Sequence, residues 1–209
     1  MKNIDKELIR VEELRKGSGA DFFGNKHKLD REWWVLGRTF KLLMQNGDCD
    51  YFSALPATPP LPDFQIMNSD GELSKYVEIG ECIEEGRRRH DEIKNRLAHP
   101  NPRGYSIHVI DDPFISFRKV VNQKFGKPYA PGSWLIILFS IMGLQMPDYY
   151  SKLWSQMIFE EVDSWSGDEG SPSMDRCPFD RVLVLDSGGK SLVSIFPRLE
   201  VIFEHKANS

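Results

Sequence analysis

Residues 61–81 read LPDFQIMNSDGELSKYVEIGE. Two short apolar runs, FQIM at 64–67 and KYVEIGE at 75–81, flank SDGE at 69–72, and a Gly-containing polar turn between such runs is a hairpin signal. The reading places Asp63 and Glu78 within the two strands rather than in the turn between them. Acidic residues are depleted from strands, and burying a carboxylate is costly unless something binds it. If the strands pair around the turn, Asp63 and Glu78 meet at the open end of the hairpin. Two carboxylates brought together repel unless a proton or a cation lies between them.

Working outward, SALPATPPLP at 53–62 is too rich in proline for a helix interior and is read as an extended lead into the hairpin. Before it, Trp33, Trp34, Leu36, Phe40, Leu42, Leu43 and Met44 predict a helix, with Asp30 as N-cap and Asn46-Gly47 as its stop. Ile4, Leu8, Val11 and Leu14 predict a shorter helix over 4–16, broken by GSGADFFGNKH at 17–27. Beyond the hairpin, a charged helix over 84–97 and a strand YSIHVI at 105–110 are expected. Asp111 and Asp112 then offer caps for a helix from Pro113 to about Phe125. WLIILFSI at 134–141 is continuously apolar, as a strand buried on both faces is. A helix over about 148–161, an acidic stretch at 160–175 and a hairpin of 181–186 with 191–196 over SGGK complete the chain. This order predicts an α/β fold with a mixed central sheet flanked by helices. Residues 1–27 are set apart as a peripheral N-terminal helix and loop, with a single α/β domain over 28–209.

Composition narrows the function. The chain has 209 residues, 40% of them hydrophobic, and a net charge of −4, which suits one globular domain and argues against a uniformly basic nucleic-acid binder. Charge is nevertheless uneven: Arg87, Arg88, Arg89, His90, Lys94 and Arg96 form one basic stretch, and Arg118, Lys119, Lys124 and Lys127 a second. Such stretches are as readily solvated helix faces as polyanion contacts. Three scattered cysteines give neither a zinc spacing nor a disulfide framework, and neither a signal-peptide core nor a membrane-spanning run is found. The expected location is cytoplasmic, with no membrane partner. SGGK lacks the spacing of a phosphate-binding loop, Ser140 and Ser194 lie in no nucleophile elbow, and His27 and His90 have no ligand pattern around them.

Pro62-Asp63, a hairpin turn, and Glu78 inside an apolar strand resemble the core of the PD-(D/E)xK nuclease superfamily, whose members share a restriction-endonuclease-like fold. The helix FISFRKVVNQKFGKPY at 114–129 before an apolar strand, the late hairpin PFDRVLVLDSGGKSLVSIFP at 178–197, and an acid on an early helix (Glu32 in DREWW) are similar to further pieces of that fold. The resemblance spans about residues 28–200 in element order, but only 62–81 in residues of catalytic type. It implies a metal-dependent nuclease acting on DNA, in defence, restriction or repair, with Mg²⁺ or Mn²⁺ held by Asp63 and Glu78 and assisted by Glu32 and Glu81. A hard divalent ion suits oxygen ligands and activates a phosphodiester for hydrolysis.

The departure lies at Gly80, where the family pattern has a lysine. The resemblance extends to members whose lysine comes from a nearby helix, and Lys124 is the best candidate, followed by Lys119 and Lys127. A bulge at Gly80 is what would turn Glu81 towards the metal. Arg87, Arg88, Arg89, Lys119 and Lys127 are the expected phosphate contacts. A homodimer or a larger complex is compatible with this reading. The alternative is a nuclease-like scaffold without catalysis, acting in binding or assembly, for which Gly80 is the main support and the acidic stretch around Trp165 the docking segment.

Overall fold

The computed structural model describes residues 1–18, 22, 25–49, 53–58, 62–82, 112, 114–140, 154–166 and 170–204. Its spine is one mixed sheet of eight strands lying side by side in chain order. They are β1 (Lys2–Asn3), β2 (Ser53–Pro56), β3 (Phe64–Met67), β4 (Leu73–Cys82), β5 (Trp134–Phe139), β6 (Arg181–Asp186), β7 (Leu192–Phe196) and β8 (Glu200–Phe203). Strands β1 to β4 pair antiparallel, β4 to β6 parallel, and β6 to β8 antiparallel again. The described helices are α1 (Ile4–Ser18), α2 (Lys28–Gln45), α3 (Ile115–Phe125) and α4 (Trp154–Ser164). The α/β class and the mixed sheet flanked by helices follow from the sequence as expected.

Alternation along β5 builds two cores. Trp134, Ile136 and Leu138 join a cluster with Leu8, Val11, Trp33, Leu36 and Phe40 of α1 and α2. Leu135, Ile137 and Phe139 join Phe117 and Val121 of α3 and Ile158 and Val162 of α4 on the other face. All six residues of β5 are buried, which is why its sequence shows no polar alternation. Residues 1–18 contribute β1 to the sheet and Ile4, Leu8 and Val11 to the first core.

Several local expectations need correction. Ser53–Pro56 is a strand rather than an extended lead: it pairs with β3 from Ser53↔Met67 to Pro56↔Phe64. Pro56 is tolerated because β1 reaches only Ser53 and Ala54, so no ladder partner on that side needs its missing N–H. A further strand, β8, extends the final hairpin. Helix α2 starts at Lys28, running on from the turn Asn25–His27, so Asp30 is not its N-cap. Asp30 instead accepts from Arg10 at 2.9 Å and meets His27 Nδ1 at 3.0 Å. The Asn46-Gly47 stop stands, with Gly47 at φ +75°. In the β3–β4 turn, Asn68 Oδ1 accepts the N–H of Asp70 and of Glu72 at 3.1 and 2.8 Å.

The helix expected from Pro113 to about Phe125 runs Ile115–Phe125; its N-cap is Phe114, with no side-chain cap, and Asp112 accepts the Phe114 N–H at 2.8 Å in the turn that leads into it. Trp165 is buried and donates to Glu161 Oε1 at 2.6 Å, so it is a core residue and not an exposed docking anchor. The helix at 84–97, the strand at 105–110, Asp111, Pro113 and residues 148–153 lie outside the described residues. No helix among the described residues is long and apolar enough to cross a membrane.

Candidate functional site

Strand β4 has two partners in succession. Its first part pairs with β3 as far as Phe64↔Val77, and from Val77 to Cys82 it pairs in parallel with β5. Beyond Val77 the two antiparallel strands fork. Asp63, just before β3 rather than within it, stands in this fork, and its Oδ2 accepts the Ile79 N–H at 2.7 Å. That N–H points to the side β3 has vacated, so the carboxylate satisfies a donor the ladder no longer uses.

Glu78 and Gly80 face the α3 layer, while Val77 and Ile79 face α2. Lys124, on the last turn of α3, reaches Glu78 Oε1 at 2.5 Å and the Ile79 carbonyl at 3.2 Å. The ion pair is largely enclosed, with side chains 15% and 12% exposed. Tyr129 donates its phenol O–H to the same Glu78 oxygen at 3.3 Å and packs against Phe179 with the rings tilted at 42° and their centroids 4.4 Å apart. Burial and the Glu78 charge push the Tyr129 phenol well above its ordinary range, which keeps it a donor. Nothing in the sequence marks Tyr129; a lone aromatic after Lys127-Pro128 reads as loop, and only the folded contact singles it out.

Gly80 explains how a helix lysine reaches the strand. A Cβ built there would stand 2.9 Å from Val120 Cγ1, 3.8 Å from Lys124 Cε and 3.9 Å from Ile137 Cγ1. The room that a side chain at 80 would fill is occupied by α3 itself, and the stem of Lys124 crosses it.

Asp63 has its carboxyl pushed above the ordinary range, first by burial and then by the Glu78 charge, against the pull of the Ile79 N–H and Lys124. Glu32, from the opposite layer, is raised by burial and then by Asp63, although Lys28 lies 3.3 Å away. Asp63 thus couples acids from both faces of the sheet. Glu81 does not join them. Pairing of β4 with β5 continues without a shift through Gly80↔Ile137 and Glu81↔Leu138, so no bulge turns it. It meets Arg31 of α2 at 3.6 Å and accepts from Ser140 at 3.3 Å.

Lys119 and Lys127 are exposed at and just beyond α3, apart from the Lys124–Glu78 pair. Arg87, Arg88 and Arg89 lie outside the described residues. Among the described residues, no three or more His, Cys, Asp or Glu side chains are grouped as a metal cluster. The oxygens that do converge are those of Asp63 and Glu78, with the Ile79 carbonyl beside them. A cavity of about 720 Å³ between α4, residues 171–175 and the turn after β7 contains none of these groups. Compared with known protein families, curated proteins and solved structures, the chain matches none.

Proposed function

We propose that this chain is a metal-dependent phosphodiesterase acting on DNA, a nuclease of restriction-endonuclease-like fold working in the cytoplasm in defence, restriction or repair. The observation that carries the reading is the meeting of Asp63, Glu78 and Lys124. Lys124 lies 46 residues from Glu78 in sequence, on a separate element, yet its ammonium is in contact with that carboxylate. Two acids and a lysine at a strand fork, with the lysine arriving from a helix over a glycine, are the set that the resemblance of residues 62–81 implies.

The donors fit Mg²⁺ or Mn²⁺. They are all oxygens, and the raised carboxyl of Asp63 marks a place where negative charge lacks compensation. Two carboxylates leave the remaining positions of a hard ion to water and a phosphate oxygen, which is how Mg²⁺ is usually held. Once bound, the ion supplies charge neutralisation for attack on the phosphodiester. Asp63 and Glu78 would hold it, and Glu32 would adjust the charge of Asp63 from the α2 side. With a metal held by Asp63 and Glu78, Lys124 would be free of Glu78 and could direct its ammonium to the attacking water and the charge developing on phosphate. Tyr129 keeps Glu78 oriented during that exchange. Lys119 and Lys127 extend the positive surface along α3 for the nucleic-acid backbone.

A second reading, an inactive scaffold used for binding or assembly, is favoured by one fact: Lys124 already neutralises Glu78, as an ammonium frozen in the cation's place would. Calorimetric titration of Mn²⁺ into the wild type and into folded Asp63→Asn, with and without a DNA duplex, separates the two. Binding to the wild type that is lost in the variant supports the hydrolase. No binding to the wild type, even with DNA present, overturns it in favour of the scaffold.

A further inference from the structure

Two carboxylate–ammonium pairs flank Asp63, one from each layer of the sheet. On the α3 side Lys124 meets Glu78, and both side chains are largely enclosed. On the α2 side Lys28 meets Glu32 Oε1 at 3.3 Å, and here only the acid is enclosed: its side chain is 15% exposed, that of Lys28 72%. The charges of both lysines act on Asp63, and the charge of Asp63 acts on Glu32, so the five groups share one electrostatic neighbourhood. Lys127, exposed, follows directly on the α3 side, its N–H bonded to the Lys124 carbonyl at 3.2 Å.

Helix stability does not account for Lys28. It is the first residue of α2, where the helix dipole disfavours a cation. Its pair with Glu32 runs from lysine to glutamate, the weaker order at a spacing of four residues. An ion pair with one end in solvent adds little and exchanges readily. What the position does provide is a long, solvated ammonium at the rim of a fork that holds three carboxylates, Asp63, Glu78 and Glu32. Those acids repel an anionic backbone unless cations meet it as it approaches. Lys28 and Lys127 stand on opposite sides of the fork, in the layers of α2 and α3.

We propose that Lys28 is a backbone-phosphate contact of the bound nucleic acid, exchanging Glu32 for a phosphate, so that the strand crosses the fork from the α2 layer to Lys127 in the α3 layer. This deepens the hydrolase reading and rests on it for the identity of the polyanion. It adds a bank of the binding surface on the side of the sheet remote from α3. Lys28 touches the backbone and takes no part in the bond cleavage, so its signature is in binding and in salt dependence.

The test is fluorescence anisotropy of a labelled DNA duplex with the full chain in EDTA, repeated over a range of sodium chloride. Without a divalent ion no cleavage interferes. The logarithm of affinity falls linearly with the logarithm of salt, and the slope counts the phosphates neutralised. Lys28→Gln is expected to weaken binding about three- to tenfold at moderate salt and to make the slope shallower by about 1, with Lys28→Arg restoring both. Lys41→Gln removes the same charge from an exposed position about 20 Å further along α2, and is expected to change neither. The inference is overturned if the wild type does not bind the duplex, if Lys28→Gln keeps the wild-type slope, if Lys28→Arg behaves as the glutamine variant, or if Lys41→Gln flattens the slope equally. Mn²⁺ binding that depends on Asp63 reports on the hydrolase reading separately. Where that binding is found and the Lys28→Gln slope is unchanged, only the crossing of the fork falls.

Discussion

Asp63 accepts the Ile79 N–H through one oxygen while its charge faces Glu78, and these two effects oppose each other. Asparagine keeps an acceptor for that N–H and discards the charge. Asp63→Asn is therefore expected to stabilise the metal-free protein at pH 7, seen as a higher melting temperature than that of the wild type. The sign follows from linkage. Asp63 has a folded-state pKa above its ordinary 3.8, so the folded protein retains a proton that the unfolded chain releases as pH rises through that interval. Its destabilising effect is complete above the raised value and vanishes below the ordinary one. Melting curves of wild type and variant should converge as pH falls towards about 3.8, and a gap that stays constant with pH would contradict this account.

Lys124→Met removes the partner of an enclosed carboxylate, a change that costs about 3 kcal/mol where such pairs are buried. The same variant is expected to bind Mn²⁺ more tightly than the wild type in calorimetry, because no ammonium must be displaced from Glu78. Under the proposed hydrolase reading, activity would be lost all the same. Weaker metal binding in the variant would show that Lys124 supports the ion's site instead of competing for it.

At the scale of elements, α3 and β4 are fitted to each other through Gly80. Placing a lysine at position 80, Gly80→Lys, puts a Cβ within 2.9 Å of Val120 Cγ1 and drives a long stem into the place of Lys124. Overpacking of this kind commonly costs about 1–3 kcal/mol. The expected outcome is a lower denaturation midpoint and no rescue of Lys124→Met, whereas a stable, active double variant would mean that α3 yields easily.

The same scale shows what the sequence could convey. The β3–β4 hairpin, the all-buried β5 and the β6–β7 hairpin were legible because turn residues and apolar runs there have a local cause. Lys124 was legible as a candidate because it ends a helix that leads into a buried strand. Strands β2 and β8 were not: prolines and charges dilute their short runs, and pairing with neighbours defines them. For Glu81 the sequence left the choice between a regular strand, out of phase with Glu78, and a bulge at Gly80; β4 runs straight through Gly80, a fact of pairing that no sequence carries. Tyr129 was missed for the same kind of reason.

Over the whole molecule, the sheet is uneven in protection. The parallel strands β4, β5 and β6 lie at its centre between two cores, with β5 wholly buried. Strands β1 to β3 are short, and β1 has only two residues. Opening free energies in such a sheet generally rise from edge to centre. Amide hydrogen exchange should therefore be fast in Ser53–Pro56 and Phe64–Met67 and slowest in Trp134–Phe139; uniform protection across the sheet would contradict this order.

The fork between β3 and β4 gives that gradient a consequence. Asp63 belongs to the margin that unzips first, whereas Glu78 and Lys124 are anchored to the part that unzips last. A brief fraying of the outer strands would carry one carboxylate away and leave its counterpart locked to its lysine. The two acids then form a clasp whose halves have different lifetimes, and anything that bridges them also staples the loose margin of the sheet to its durable centre.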